Sequence, residues 1–280
     1  MVTATRISFP PPPVPQPTAT GAVKFGRIQT APGHRFVMYG PGGIGKTTLA
    51  CMAPGSVAFF DLDDSLSRLL PGLRAQDLEK NVVPVEVDSF KGIRDALHAP
   101  GWESVKTLVI DSGTKAEELC VAETIATVPH EKGHKVKCIE DYGYSKGYTH
   151  VYDTFLPLLV DLDAHCRAGR HVIIICHDCT STVPNPAGED WLRYEPRLQS
   201  PASGKASIRL RVREWADHLL FYGYDINVSK EGKGKGGGSR TIYPAELPHC
   251  MAKSRTLRFP ISNPNAEVWT NAIKGDAQAL

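Results

Sequence analysis

Between residues 34 and 177 short apolar runs alternate with longer segments whose apolar positions recur every three or four residues. "HRFVMY" (34–39), "SVAFFDLD" (56–63), "NVVPVEV" (81–87), "VKTLVIDS" (105–112) and "RHVIIICH" (170–177) have the length and apolar density of strands. "SFKGIRDALHA" (89–99), "KAEELCVAETIA" (115–126) and "YTHVYDTFLPLLVDLDAHCRAG" (148–169) read as helices, and a further helix is expected after the polar turn that follows residue 63. The last strand is nearly all apolar, as in a strand covered on both faces. Repeated strand–helix units predict an α/β fold with a mostly parallel central sheet flanked by helices. Residues 127–148 are polar and glycine-rich and are expected to be a loop.

The pattern changes after residue 177. Residues 178–205 read as a long, mobile polar segment carrying Trp191, Arg193, Tyr194, Arg197 and Lys205. "REWADHLLFYGYDINV" (213–228) predicts a short helix and a strand. "SKEGKGKGGGSR" (229–240) reads as a flexible tip, which need be no more than a solvated turn, and "TIYPA" resumes extended structure. Antiparallel strands are therefore expected toward the C-terminus, with "HCMAKSRTLRFPI" closing the sheet region. The expected organisation is a proline-rich arm over 1–20, a core over 21–263 and a tail with helical pattern over 264–280. "FPPPPVPQP" suits neither a helix nor a sheet interior.

Composition narrows the classes. With 280 residues, 41% of them hydrophobic, the chain can bury a large core, and its net charge of +2 requires any basic surface to be local. No run of 18 apolar residues occurs, so no membrane span is expected. The N-terminus lacks a charged-then-apolar signal pattern, and a cytoplasmic location is expected. Seven scattered cysteines fit a reducing compartment. Cys176 and Cys179 form a C-x-x-C pair, but with no second pair at zinc spacing they read as structural thiols ahead of metal ligands.

The strongest chemical signal is "GPGGIGKTTLA" (40–50), in which Gly40, Gly45, Lys46 and Thr47 fill G-x-x-x-x-G-K-[ST] between an expected strand and an expected helix. In such a loop the backbone of Gly40, Pro41, Gly42, Gly43, Ile44 and Gly45, continuing to Thr48, cradles phosphates at a helix N-terminus. Lys46 would reach the β- and γ-phosphates of ATP, and Thr47 would ligate Mg²⁺. Asp111 ends an apolar strand about sixty residues later, where a carboxylate suits the metal better than a helix cap. "AFFDLDDSL" offers a base to activate water: on an extended strand Asp61 and Asp63 share a side and Asp64 faces away. Asp63, at the strand end, is best placed; these acids could also cap the next turn. His177 ends another core strand, at the edge where parallel sheets bind ligands, as a γ-phosphate sensor or as a structural histidine.

Taken in order, the phosphate loop, "AFFDLDDSL", "TLVIDSGTKAEEL", "VIIICHD" and "MAKSRTLRFP" resemble the RecA-type P-loop ATPase core over roughly residues 24–262. "DYGYSKGY" (141–148), "LRYEPRLQ" (192–199) and residues 211–221 resemble more closely the short phage-encoded RecA-like ATPases that include the Sak-type single-strand annealing proteins. The resemblance implies that Asp63 stands where the family has a catalytic glutamate, and His177 where it has a glutamine coupling γ-phosphate to a DNA loop. It implies that Lys253 and Arg255 are cations donated across a subunit interface to a neighbour's ATP, and that residues 127–147 and 178–205 are DNA-facing loops. Trp191 and Tyr194 would stack on bases and Arg193, Arg197 and Lys205 would neutralise phosphates, unless Trp191 packs on the domain. The function implied is an ATP-dependent single-stranded-DNA-binding protein of phage-type recombination, annealing or pairing strands as a homo-oligomer in a bacterial host. A single-stranded-DNA-binding protein is a further implied partner. A replicative helicase or helicase loader, and an ATPase switch acting on a protein partner, are the alternatives.

Overall fold

The computed structural model describes residues 32–185, 187–228 and 234–275. Residues 1–31, which include the proline-rich arm over 1–20 and the start of the expected core over 21–263, lie outside them, as do residue 186, residues 229–233 at the start of the 229–240 tip and the last five residues. In chain order the elements are β1 (Arg35–Tyr39), α1 (Lys46–Cys51), β2 (Ser56–Asp61), α2 (Leu66–Ala75), β3 (Val82–Pro84), α3 (Phe90–His98), β4 (Val105–Asp111), α4 (Gly113–Thr127), α5 (Lys146–Arg167) and β5 (His171–Cys176). There follow β6 (Asp178–Val183), β7 (Trp191–Pro196), α6 (Ile208–Trp215), β8 (His218–Val228), β9 (Gly234–Tyr243), β10 (Lys253–Ser254), β11 (Ile261–Ser262) and α7 (Glu267–Lys274).

Among the described residues nine strands form one sheet in the order β11-β9-β8-β1-β5-β4-β2-β3, with β10 paired to β8. From β8 to β3 every pairing is parallel, whereas β9, β10 and β11 join antiparallel. This is an α/β fold with a mostly parallel sheet and added antiparallel strands. Strand alternation divides the core between the two faces. Val37, Tyr39, Leu108, Ile110, Val172 and Ile174 pack with α3, α4, α5 and α6; Phe36, Met38, Val109, Ile173 and Ile175 pack with α1 and α7.

Three segments depart from the sequence expectation. The stretch expected as a mobile loop over 178–205 is largely a β6–β7 hairpin, registered from Asp178↔Pro196 to Val183↔Trp191. The lysine- and glycine-rich tip is mostly strand: β8 runs on to Val228, and its backbone pairs with Gly234, Lys235 and Gly236 of β9. Residues expected as a tail contain α7, whose Trp269 is 1% exposed, meets Phe36 edge-on and donates its Nε1–H to the Leu49 carbonyl at 2.9 Å. That burial makes α7 part of the core.

Between α4 and α5 the polar segment is irregular apart from one 3-10 turn at Ile139–Tyr142. Tyr142 is buried, with its hydroxyl in reach of the Thr124 and Val128 carbonyls at 3.1 and 2.7 Å. Gly147 begins α5 so close to the Ile139 carbonyl that a Cβ would stand 2.0 Å from it. The "DYGYSKGY" stretch is thus pinned at both ends, while Tyr144 between them is fully exposed.

Candidate nucleotide site

At the carboxyl ends of the parallel strands, the chain leaves β1 at the buried Tyr39 and turns into residues 40–45 before α1 begins. Gly40 has φ +156° and lies where a Cβ would come within 2.0 Å of the Tyr222 carbonyl oxygen; Gly45 caps α1 at φ +107°. Both positions need glycine, for close approach and for backbone angle. Arg240 on β9, which carries no sequence motif, donates to the Ile44 carbonyl at 2.8 Å and braces the loop from behind. The Ile44 side chain is wholly buried in the core, leaving only its backbone to the loop. Lys46 is buried and folded onto the loop, its ammonium donating to the carbonyls of Gly40 (2.7 Å) and Pro41 (2.8 Å). Burial lowers its pKa, and Asp111 opposes that shift.

The loop forms one wall of a cleft of about 340 Å³. Gly42, Gly43, Gly45, Lys46, Thr47 and Thr48 line it together with Asp63, Asp111 and His177, and with Ser65, Arg68, Leu69 and Ile175. The strand order explains the grouping: β5 lies between β1 and β4, so residue 177 emerges between the phosphate loop and Asp111.

The Thr47 hydroxyl donates to Asp111 Oδ2 at 2.6 Å, and Ser65 Oγ approaches the same oxygen at 3.3 Å. Asp111 is 4% exposed and has no ion pair among the described residues. Burial pushes its pKa up to about 6, with the Thr47 hydrogen bond pulling down and the charges of Asp63 and Asp61 pushing further up. An un-neutralised carboxylate beside a hydroxyl is a hard-oxygen donor set that fits Mg²⁺.

The three acids after β2 have separate situations. The strand ends at Asp61 and the chain turns through Asp64 at φ +52°, so the two-residue alternation expected for an extended strand does not hold here. Asp61 accepts hydrogen bonds from Ser65 N (2.8 Å), Ser65 Oγ (2.9 Å) and Leu66 N (2.9 Å), fixing the start of α2. Asp63 faces the cleft, its Oδ2 3.6 Å from His177 Nε2. Asp64 is exposed and does not line the cleft.

His177 is bound to the hairpin by main-chain contacts. Its N–H donates to Thr114 Oγ1 (3.1 Å), whose hydroxyl donates to the Arg197 carbonyl (3.2 Å), and its carbonyl accepts from Arg197 N (2.8 Å). On the hairpin, Arg193 is paired with Glu195 and with Glu246 at 2.7 Å, and Glu195 is also paired with Arg209. Tyr194 stacks on Phe221 with centroids 5.1 Å apart. Their guanidinium and ring are therefore engaged within the fold, which corrects the picture of Arg193 and Tyr194 as free groups on a loop. Trp191 is half-buried with its Nε1 enclosed and unpartnered among the described residues. Arg197 and Lys205 are exposed. Cys176 is buried and Cys179 sits on β6 against the Arg209 guanidinium at 3.3 Å.

Lys253 and Arg255 lie toward the other end of the strands, near the start of β1. Ser254 is level with His218, which is level with Phe36, four residues before Gly40, or about 13 Å along the strand at 3.3 Å per residue. Lys253 Nζ donates to the Glu214 carbonyl at 3.2 Å, and Arg255 Nε donates to Asp217 at 2.8 Å while its side chain stays 68% exposed.

A family pattern described as the AAA domain matches residues 33–256. No protein of curated function matches the chain. Among solved structures it is similar to the RadB recombinase, at 15% identity over 76% of this chain and 80% of that one, with a TM-score of 0.41. It is also similar to a KaiC-like protein of the hyperthermophilic archaeon Pyrococcus horikoshii OT3, at 15% identity over 75% of this chain and 77% of that one, with a TM-score of 0.40.

Proposed function

Because this chain belongs to the AAA-domain family, a P-loop class in which nucleotide hydrolysis is implied, we propose that it is a Mg²⁺-dependent ATPase that binds single-stranded DNA as a homo-oligomer in phage-type recombination. One observation carries the reading: Lys46, Thr47, Asp111, Asp63 and His177 line a single cleft, and His177 is hydrogen-bonded to the base of the β6–β7 hairpin.

Each side chain has a task. Lys46 exchanges its two carbonyl contacts for phosphate oxygens. Mg²⁺, held by Thr47 and Asp111, would supply charge neutralisation on the phosphates. Asp63 orients a water whose oxygen attacks the γ-phosphorus as the bond to the bridging oxygen breaks; the water's proton passes to Asp63, leaving ADP and phosphate. His177, 3.6 Å from Asp63, shares that wall of the cleft and passes its position through Thr114 and Arg197 to the hairpin.

DNA binding is supported by where cations remain exposed. Arg197 follows β7 at the hairpin base and Lys205 lies on the loop before α6, both exposed, and Lys132, Lys135 and Lys137 are exposed on the segment before Tyr144. Exposed cations beside an exposed ring are the parts of a single-strand surface. The Sak-type resemblance directs the reading to annealing or pairing of strands.

The test is phosphate release with Mg²⁺, measured with and without a single-stranded oligonucleotide, alongside Trp191 fluorescence with Trp191→Phe as control. Stimulation by DNA with quenching of Trp191 is expected. Turnover that ignores DNA, with no binding of the oligonucleotide, overturns the DNA reading in favour of a switch on a protein partner. Unwinding of a duplex would point to the helicase class.

A further inference from the structure

The cleft contains a cation that belongs to no motif. Arg68 lies in the first turn of α2 and lines the cleft together with Ser65 and Leu69, three residues before it and one after. Residues spaced i, i+3 and i+4 share one helix face, so this face of α2 is the one turned to the phosphate loop. Its register is fixed. Asp61 holds Ser65 N and Leu66 N, and Ser65 Oγ reaches Asp111 Oδ2, so the start of the helix is fastened to the acid beside Thr47.

Arg68 is nonetheless free. It makes no hydrogen bond and no ion pair among the described residues, whereas Arg35, Arg74, Arg94, Arg193, Arg209 and Arg255 are all held by carboxylates. An arginine left without a carboxylate a few residues from Asp61, Asp63 and Asp64 has a vacant fork of donors turned toward an anion site.

The charge in the cleft gives that fork an occupant. Among the described residues Lys46 and Arg68 are its only lysine and arginine, against Asp63 and Asp111. A triphosphate adds about four negative charges, and Lys46 sits at the loop end, on the carbonyls of Gly40 and Pro41. Asp63 and His177 line the same cleft as Arg68.

We propose that Arg68 binds the γ-phosphate of ATP within the same subunit and so makes the cleft discriminate ATP from ADP. This rests on the nucleotide-site reading above. The proposal sets Arg68 apart from Arg255, which lies near the amino-terminal ends of the parallel strands, away from the cleft. It also gives α2 a role: the first turn that carries Arg68 is fastened to Asp111 through Ser65, so one helix start reads both the metal acid and the terminal phosphate.

The experiment compares the affinities of fluorescent ATPγS and fluorescent ADP, both with Mg²⁺, for the full chain, Arg68→Ala and Arg68→Lys. Arg68 is exposed, and the melting temperature of each variant checks that the fold is unchanged. The expected result for Arg68→Ala is an ATPγS dissociation constant raised about tenfold or more, as for loss of one charged contact, with ADP changed less than about twofold. Arg68→Lys should recover part of the loss, keeping the charge without the fork. Equal weakening of both nucleotides, or weakening of neither, overturns the role of Arg68 while leaving the nucleotide site standing. If the unmodified chain binds neither nucleotide, the site reading itself falls and this proposal with it.

Discussion

The Thr47 hydroxyl and the Asp111 carboxylate meet at 2.6 Å across the floor of the cleft, although 64 residues separate them in the chain. The contact joins the start of α1 to the end of β4. Burial raises the pKa of that carboxyl to about 6.

Asp111→Asn should abolish most of the gain in ATP affinity that Mg²⁺ brings while leaving affinity in EDTA nearly unchanged. The expected loss is about tenfold or more, each factor of ten being about 1.4 kcal/mol. Isothermal titration with and without Mg²⁺ reads it directly, and an unchanged response to Mg²⁺ removes Asp111 from the metal site.

Asp61 and Asp63 should separate stability from turnover. Asp61→Ala removes the acceptor of two backbone N–H groups at the start of α2, for an expected loss of ~1–2 kcal/mol. Asp63→Asn should melt normally, bind Mg·ATP normally and hydrolyse it about 10²–10⁴-fold more slowly. Normal hydrolysis by Asp63→Asn would put the base elsewhere.

The phosphate loop was legible because its chemistry is local: fixed residues within eight consecutive positions, read with their flanking strand and helix. Asp111 and His177 followed, since apolar strands announce their own ends. The strand end favours Asp63 over Asp61 in the sequence, but only the turn at Asp64 shows Asp61 holding the start of α2 while Asp63 lines the cleft. The hairpin was hidden because its ion pairs join distant residues: Arg193 meets Glu246, 53 positions on, and Glu195 meets Arg209. Such pairing turns a polar segment into an ordered one without any apolar periodicity. Arg68 and Arg240 had no signal of their own, because the register of α2 and the pairing of β9 bring them to the loop.

Glu117 on α4 should make stability depend on pH. Burial raises its carboxyl to about 7, opposed by the hydrogen bond from Gln199 N and by Arg209 and Arg197, and aided by Glu118. A raised carboxyl pKa means that the folded state holds the proton more tightly. The stability this group contributes is present below its ordinary value of 4.5 and is lost as pH rises through about 7. Glu117→Gln keeps an acceptor for Gln199 N without the charge. It should therefore raise the melting temperature at pH 8, by about 2–4 °C for each kcal/mol relieved, and change it little at pH 4.5. An equal effect at both values would exclude titration of Glu117 as the cause.

Arg255 offers the test of assembly. It is two-thirds exposed, held by Asp217, and follows Ser254, whose level on the sheet is about 13 Å along the strand from Gly40, so the proposed contact is with a neighbour's ATP. Arg255→Ala should lower turnover without weakening ATP binding to the isolated subunit, and Lys253→Ala should do so less. Lys46→Ala should lose hydrolysis outright, because on the proposed reading its ammonium exchanges the Gly40 and Pro41 carbonyls for phosphate oxygens. Mixing the two inactive proteins, Arg255→Ala and Lys46→Ala, should restore part of the activity. At one class of mixed interface an intact phosphate loop from the first meets an intact Arg255 from the second. Recovery should rise and fall with mixing ratio, peaking near equal amounts. With mixed assemblies shown to form by affinity tagging, no recovery at any ratio would mean that Arg255 serves only its pairing with Asp217.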